Sequence, residues 1–182
     1  MLVVLSGCSG VGKDTVVKEI VRIAPEFVIS VSATTRKIRS NEKNGIDYHF
    51  LSAQDFDSAV SSNKFLEYAS YCGNRYGTLK NEVEKYTKKG RNVILVIEVQ
   101  GGKKVKKSRP DSVSVFILPP SLHELENRLR SRGLDDEESI IRRLKRAEFE
   151  IEESKNYDLR IINKNYAICA QDILEFIREI AP

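Results

Sequence analysis

The run Gly7-Cys8-Ser9-Gly10-Val11-Gly12-Lys13-Asp14-Thr15 follows the apolar stretch Leu2-Val3-Val4-Leu5 and opens a segment of helical periodicity. Glycines at 7, 10 and 12 allow a tight turn with inward-facing backbone N–H groups, the helix beyond offers its positive end, and Lys13 can reach terminal phosphates. Such a loop predicts a nucleoside triphosphate as ligand. The position after Lys13, where the pattern has a hydroxyl, holds a carboxylate, Asp14, with Thr15 next. Asp14 is therefore the candidate ligand for the Mg²⁺ that accompanies a triphosphate. Cys8, close to the helix N-terminus and to Lys13, is expected to favour the thiolate and to be open to alkylation. Further along, Arg36 and Arg39 stand beside a Ser/Thr-rich turn as two guanidinium forks able to clasp one phosphate, and Tyr48 and Tyr76 offer phenolic donors to the same oxygens.

The elements that must position these groups alternate short β-branched runs with helical patterns, as in a parallel sheet covered by helices. A helix is predicted from Lys13 to Ala24, ended by Pro25. Residues 32–78 differ in texture, with strand-like pieces and one helix over Ala53 to Ser62 capped by Ser52, and read as a small α+β insertion. The core pattern resumes with a helix over Leu79 to Lys89, stopped by Gly90, and buried strands over Asn92–Val99 and Val113–Leu118. Ser121 caps a helix reaching Arg132, Asp135-Asp136 lead into a long charged helix to Ser154, and Leu159–Ile162 and Ala167 to Ile180 form the last strand and helix. Phe116, Phe149 and Phe176 fall at core-like positions, whereas Lys103–Lys107 and Arg128, Arg142 and Arg146 read as solvated charged faces.

With 182 residues the chain fits one domain, and its net charge of +4, interspersed, suits an anionic substrate but falls short of a nucleic-acid tract. Cys8, Cys72 and Cys169 lie far apart in no metal-ligand spacing, so reduced thiols are expected. A strand starting at Leu2 leaves no room for a signal peptide, and no apolar run is long enough to span a membrane, so a cytoplasmic protein is expected. Oligomeric state stays open.

Taken in order, P-loop, Ser32-Ala33-Thr34-Thr35-Arg36-Lys37-Ile38-Arg39, Gly45-Ile46-Asp47-Tyr48-His49-Phe50, Phe65-Leu66-Glu67, Tyr76-Gly77-Thr78, strand-Gln100-Gly101, Arg128 to Gly133 and Tyr157-Asp158, the chain resembles guanylate kinases over nearly its whole length. The resemblance implies one domain, 1–182, with a P-loop core (1–31, 79–122 and 155–182), a GMP-binding insertion (32–78) and a helical lid (123–154). It implies an ATP:GMP phosphotransferase using Mg²⁺ with ATP, with no nucleic-acid or membrane partner. By match, the loop residues 7–15 bind ATP, Arg36, Arg39, Tyr48 and Tyr76 bind the GMP phosphate, Ser32, Glu67 and Thr78 lie at the guanine side, and Glu98 contacts either the guanine side or the metal's water shell. Lys13, Arg36, Arg132 and Arg143 are the implied catalytic set. Guanine's adjacent N1–H and N2–H₂ donors suit an ionised carboxylate such as Glu67, and adenine lacks that pair. The chain departs from the family at Asp14, at Val96 in place of the first of two acids, and at Lys164 near the adenine side. A ribose 1,5-bisphosphate phosphokinase, whose loop often has Asp after Lys, and a non-catalytic peptide-binding relative are the rival readings.

Overall fold

In the computed structural model, which describes residues 1–71, 73–131, 133 and 136–180, two sheets divide the work. The larger is parallel throughout, with strands β1 (Leu2–Gly7), β2 (Phe27–Ile29), β7 (Asn92–Val96), β8 (Val113–Leu118) and β9 (Leu159–Ile162) in the order β2-β7-β1-β8-β9. The smaller joins β3 (Ala33–Thr34), β4 (His49–Phe50), β5 (Phe65–Tyr71) and β6 (Asn74–Leu79) in the order β4-β3-β6-β5. The helices are α1 (Lys13–Ile23), α2 (Ala53–Ser61), α3 (Lys80–Thr87), α4 (Val99–Ser108), α5 (Leu122–Ser131), α6 (Glu137–Glu153) and α7 (Tyr166–Ile180).

β1 is apolar on both faces because both are covered. Val3 and Leu5 pack with Ile20, Leu125, Leu129 and Ile173 on one side, while Leu2 and Val4 pack with Val83, Leu95 and Val105 on the other. That is the period of two expected of a strand buried between helical layers. A third cluster, Ala33, Phe56, Ala59 and Phe65, gives the smaller sheet its own core under α2, which Ser52 caps by accepting from the Asp55 N–H.

Several sequence expectations need correction. The strand begun at Asn92 stops at Val96, because Glu98 becomes the N-cap of α4. The edge strand β2 was not foreseen; three residues carry no periodicity, and it exists through its parallel register with Asn92–Ile94. Phe149 is not a core residue but 47% exposed, whereas Phe116 is fully buried and Phe176 packs against the core. The lysine run, by contrast, is the solvated face expected, with Lys103, Lys104 and Lys107 exposed; within it Lys103 pairs with Glu153, Lys104 donates to the Tyr68 carbonyl at 2.5 Å, and Lys106 meets Asp158 at 2.9 Å.

The registers Leu5↔Val96 and Leu5↔Val115 bring the C-terminal ends of β1, β7 and β8 level. The chain leaves β1 between neighbours reached on opposite sides, the place where open α/β sheets form their crevice. Among the described residues, no helix is long and apolar enough to cross a membrane.

Candidate active site

The loop after β1 is held from both sides. Gly12, the N-cap of α1, has φ +93°, a left-handed conformation costly for side-chain-bearing residues, and a Cβ there would meet Asn163 Nδ2 at 2.9 Å. That amide donates to the Val11 carbonyl at 2.8 Å, and Arg128 reaches the Val11 and Asn163 carbonyls at 3.4 and 3.3 Å. Lys13 Nζ donates to the Gly7 and Cys8 carbonyls at 2.5 and 3.1 Å, which leaves one of its three N–H donors for a ligand. Asp14 and Thr15 are exposed on the first turn of α1, facing the same cleft. From α6, Arg143 Nη1 donates to Ser9 Oγ at 2.5 Å, so a residue expected in the lid does stand over the loop. Arg132 lies outside the described residues.

Cys8 behaves differently from its sequence context. Its side chain is fully buried, with Sγ 3.7 Å from the Ala147 carbonyl of α6. Burial, and after it the charge of Glu150, pushes the thiol up to about 12 against the opposing pull of Lys13. Burial thus runs against the thiolate expectation: Cys8 is a packed thiol held protonated by desolvation, a setting that disfavours alkylation of the native loop.

Across the cleft, β5 and β6 present Glu67 and Thr78 as register partners. Both are buried, and Thr78 donates its hydroxyl to Glu67 Oε1 at 2.8 Å. Burial holds the Glu67 carboxyl above its usual range, opposed by Thr78 and by Lys104. The other oxygen faces Gly101 of α4, where an added Cβ would lie only 2.5 Å from Glu67 Oε2. Ser32, Tyr48 and Tyr76 line the same cleft, the two phenol rings 6.1 Å apart edge to face.

The arginine pair is organised by a residue the sequence reading passed over. Glu42 Oε1 takes Arg36 Nη2 at 2.6 Å while its Oε2 accepts the Arg39 N–H at 2.9 Å. The Arg36 guanidinium rests 5.4 Å from the Tyr48 ring centroid and 5.6 Å from that of Phe50. Neither arginine lines the cleft itself: Arg36 is bonded to Glu42 and the Lys37 carbonyl beside it, and Arg39 is exposed.

Glu98 lines the cleft beside Lys13 and the buried Glu150 of α6. Its turn is braced from beneath, since Tyr157 donates to Ser6 Oγ at 2.9 Å and Ser6 donates to the Ile97 carbonyl at 2.7 Å. Arg128 and Arg146, read as a solvated face, are half-buried and engaged with the loop and with Glu98 and Glu150. The i,i+4 spacing of Arg146 and Glu150 was the available signal; only the tertiary fold shows what they face.

One cleft of about 290 Å³ thus joins Gly10, Gly12, Lys13 and Asp14 of the loop to Ser32, Tyr48, Glu67 and Tyr76 of the second sheet, with Glu98 and Gly101 between them. The family model described as guanylate kinase matches residues 1–180. A guanylate kinase of Nostoc sp. (strain PCC 7120) is 44% identical over 172 residues, 94% of this chain and 86% of that protein. One from Thermosynechococcus vestitus is 46% identical over 162 residues, 89% of this chain and 85% of its own. Among solved structures, guanylate kinase from Anaplasma phagocytophilum superposes with a TM-score of 0.81 at 34% identity, covering 98% of this chain and 85% of that one. Motif order, cleft and similarity agree: the chain belongs to the guanylate kinase family.

Proposed function

We propose that this cleft transfers the γ-phosphoryl group of ATP to GMP or dGMP, giving ADP and GDP or dGDP. The observation that supports this reading most is the single cleft in which a phosphate loop and a buried carboxylate–hydroxyl pair face each other. A phosphotransferase needs both nucleotides in one water-poor space, with phosphates between the bases.

In this reading the backbone N–H groups of residues 7–15 and the remaining donor of Lys13 take the β- and γ-phosphates. Arg143, together with Arg132 as the family match implies, neutralises the equatorial charge that builds on the transferring group. Arg36, aimed by Glu42, takes the GMP phosphate with Tyr48 and Tyr76, and Arg39 adds charge from the rim. Glu67, Thr78, Ser32 and Glu98 read the base: with the Thr78 proton given to Glu67, the hydroxyl oxygen is free to accept. No general base is needed, because a GMP phosphate oxygen is already an anionic nucleophile.

The donor set beside Lys13, one carboxylate and one hydroxyl, suits Mg²⁺, which takes one or two protein oxygens and fills its shell with phosphate and water. Asp14 and Thr15 would hold it, and a bound ion would supply charge neutralisation to the triphosphate. Asp14→Ala is expected to raise the Mg²⁺ concentration for half-maximal activity severalfold at fixed ATP. An unchanged requirement in a magnesium titration would show that the carboxylate does not serve the metal. With Cys8 and Cys169 both free thiols, the reading keeps the enzyme in the reducing cytoplasm.

Gly101→Ala tests the base pocket with little threat to the fold, since the clash falls on the far end of a flexible side chain. The Glu67 carboxylate must swing aside, so the GMP KM is expected to rise about tenfold or more while the ATP KM and the melting temperature barely change. Equal changes in both KM values would place Gly101 outside the pocket's design. The function itself is tested by ADP release with GMP, AMP or ribose 1,5-bisphosphate as acceptor: GMP should support turnover and the other two should not. Preference for the sugar phosphate would overturn the reading.

A further inference from the structure

Glu98 occupies the N-cap of α4, yet its side chain accepts nothing from that helix. Its Oε2 instead lies 3.8 Å from Arg146 Nη2 on α6, and both atoms are shut off from solvent without a hydrogen-bond partner. Opposite charges that are buried but too far apart to bond form an incomplete pair. Arg146 is otherwise fixed. Its Nε donates to Glu150 Oε1 at 3.1 Å, and its guanidinium lies 5.8 Å from the Tyr71 ring of β5 and 5.1 Å from that of Phe149. One side chain therefore touches α6, the end of β5 and the turn that carries Glu98. On the same helix, Arg143 and Ala147 sit against Ser9 and Cys8 of the phosphate loop.

We infer that Arg146 is a positioning residue of the base pocket: from α6 it aims the Glu98 carboxylate at the guanine, so that capture of GMP and the seating of α6 on the phosphate loop are linked. The inference rests on the reading above that Glu98 faces the base. With Oε2 turned toward Arg146, the other carboxylate oxygen, Oε1, is the one left to accept a guanine N–H from the cleft.

The electrostatics run the same way. Four charged groups face Glu98: Glu150 and Arg146 from α6, Lys13 from α1 and Glu67 from β5. Burial and Glu150 push its carboxyl up to about 8, Arg146 and Lys13 oppose this, and Glu67 adds slightly to the rise. Guanine donors need the ionised form, so affinity for GMP falls as pH drops through that value. Loss of the Arg146 cation moves the fall to higher pH.

The test measures GMP and ATP dissociation constants between pH 6 and 9 for the full-length wild type, Arg146→Met, Arg146→Lys and Glu98→Gln. Arg146→Met is expected to weaken GMP about tenfold at pH 7 and to shift its pH profile up by about one unit, with ATP changed less than about twofold. Arg146→Lys keeps the charge but cannot span Glu150 and Glu98 together, so GMP weakens about threefold with the profile unshifted. Glu98→Gln should weaken GMP and flatten its profile. Equal losses for GMP and ATP in Arg146→Met, or an unmoved GMP profile where Glu98→Gln has an effect, would make Arg146 a strut for α6 and overturn the inference alone. If Glu98→Gln leaves GMP affinity untouched, the base-site reading of Glu98 falls and the inference with it. Should Arg146→Met fail to fold with Glu150 unpaired, Arg146→Lys decides, and absence of a GMP-selective loss there overturns the inference.

Discussion

Lys13→Met is expected to lower kcat by about 10² to 10³ while leaving the GMP dissociation constant within about threefold of wild type. Two of the three Lys13 N–H bonds hold the Gly7 and Cys8 carbonyls and so fix the ammonium at the mouth of the loop, with the third left for the transferring phosphate. Methionine keeps the apolar stem and the helix propensity but supplies neither charge nor donors. The loss therefore falls on the transition state, whose charge spreads over the γ-phosphoryl oxygens. Because Glu67 and Thr78 sit on the other sheet, most of the GMP affinity should survive, and only what Glu98 gains from the Lys13 charge is lost. Single-turnover kinetics with equilibrium GMP binding check both halves. A kcat within tenfold of wild type would remove Lys13 from the transferring group, and a parallel loss of GMP binding would point to a collapsed loop.

Glu67→Gln is the second large effect: GMP turnover should fall about tenfold or more with ATP binding near normal. A buried carboxylate that already accepts from Thr78 offers its other oxygen to the pocket at Gly101. The amide keeps the shape but brings an N–H₂ that faces guanine's own donors, so a charge-assisted bond is replaced by a repulsion. Discrimination should suffer too, since a site built around paired donors rejects adenine by leaving its own polar atoms unpaired. The ratio of GMP to AMP turnover should therefore fall more than stability does. Unchanged GMP kinetics would take Glu67 out of the base site.

Much of this architecture is legible in the chain because local rules and tertiary demands agree. The strand-loop-helix at residues 2–23 has an apolar run, glycines where the backbone turns and a helix whose buried face is Val16, Val17 and Ile20. Ser52 and Asp136 cap their helices as their residue types suggest. What stayed hidden depends on contacts between distant segments. Cys8 looks reactive from its neighbours in sequence, but α6 closes over it and desolvation outweighs the charge of Lys13. Arg146 and Glu150 look like an ordinary surface pair until the fold sets Glu98 opposite them. Glu42 lies in a polar turn with no signal of its own, and its role appears only as the carboxylate between Arg36 and the Arg39 N–H. The β7 strand reads as longer than it is, since a β-branched run does not record where a helix N-cap must interrupt it.

The most direct test of the whole account follows one atom group. Wild-type enzyme is given ATP labelled in its γ-phosphate together with GMP and Mg²⁺, and the products are separated by phosphate content. The account predicts that the label appears in the β-phosphate of GDP, one for each ADP formed, and that omission of GMP stops the release of label. Label recovered as inorganic phosphate at an equal rate with and without GMP would contradict it, because the cleft would then be a hydrolase site rather than one that brings two nucleotides together.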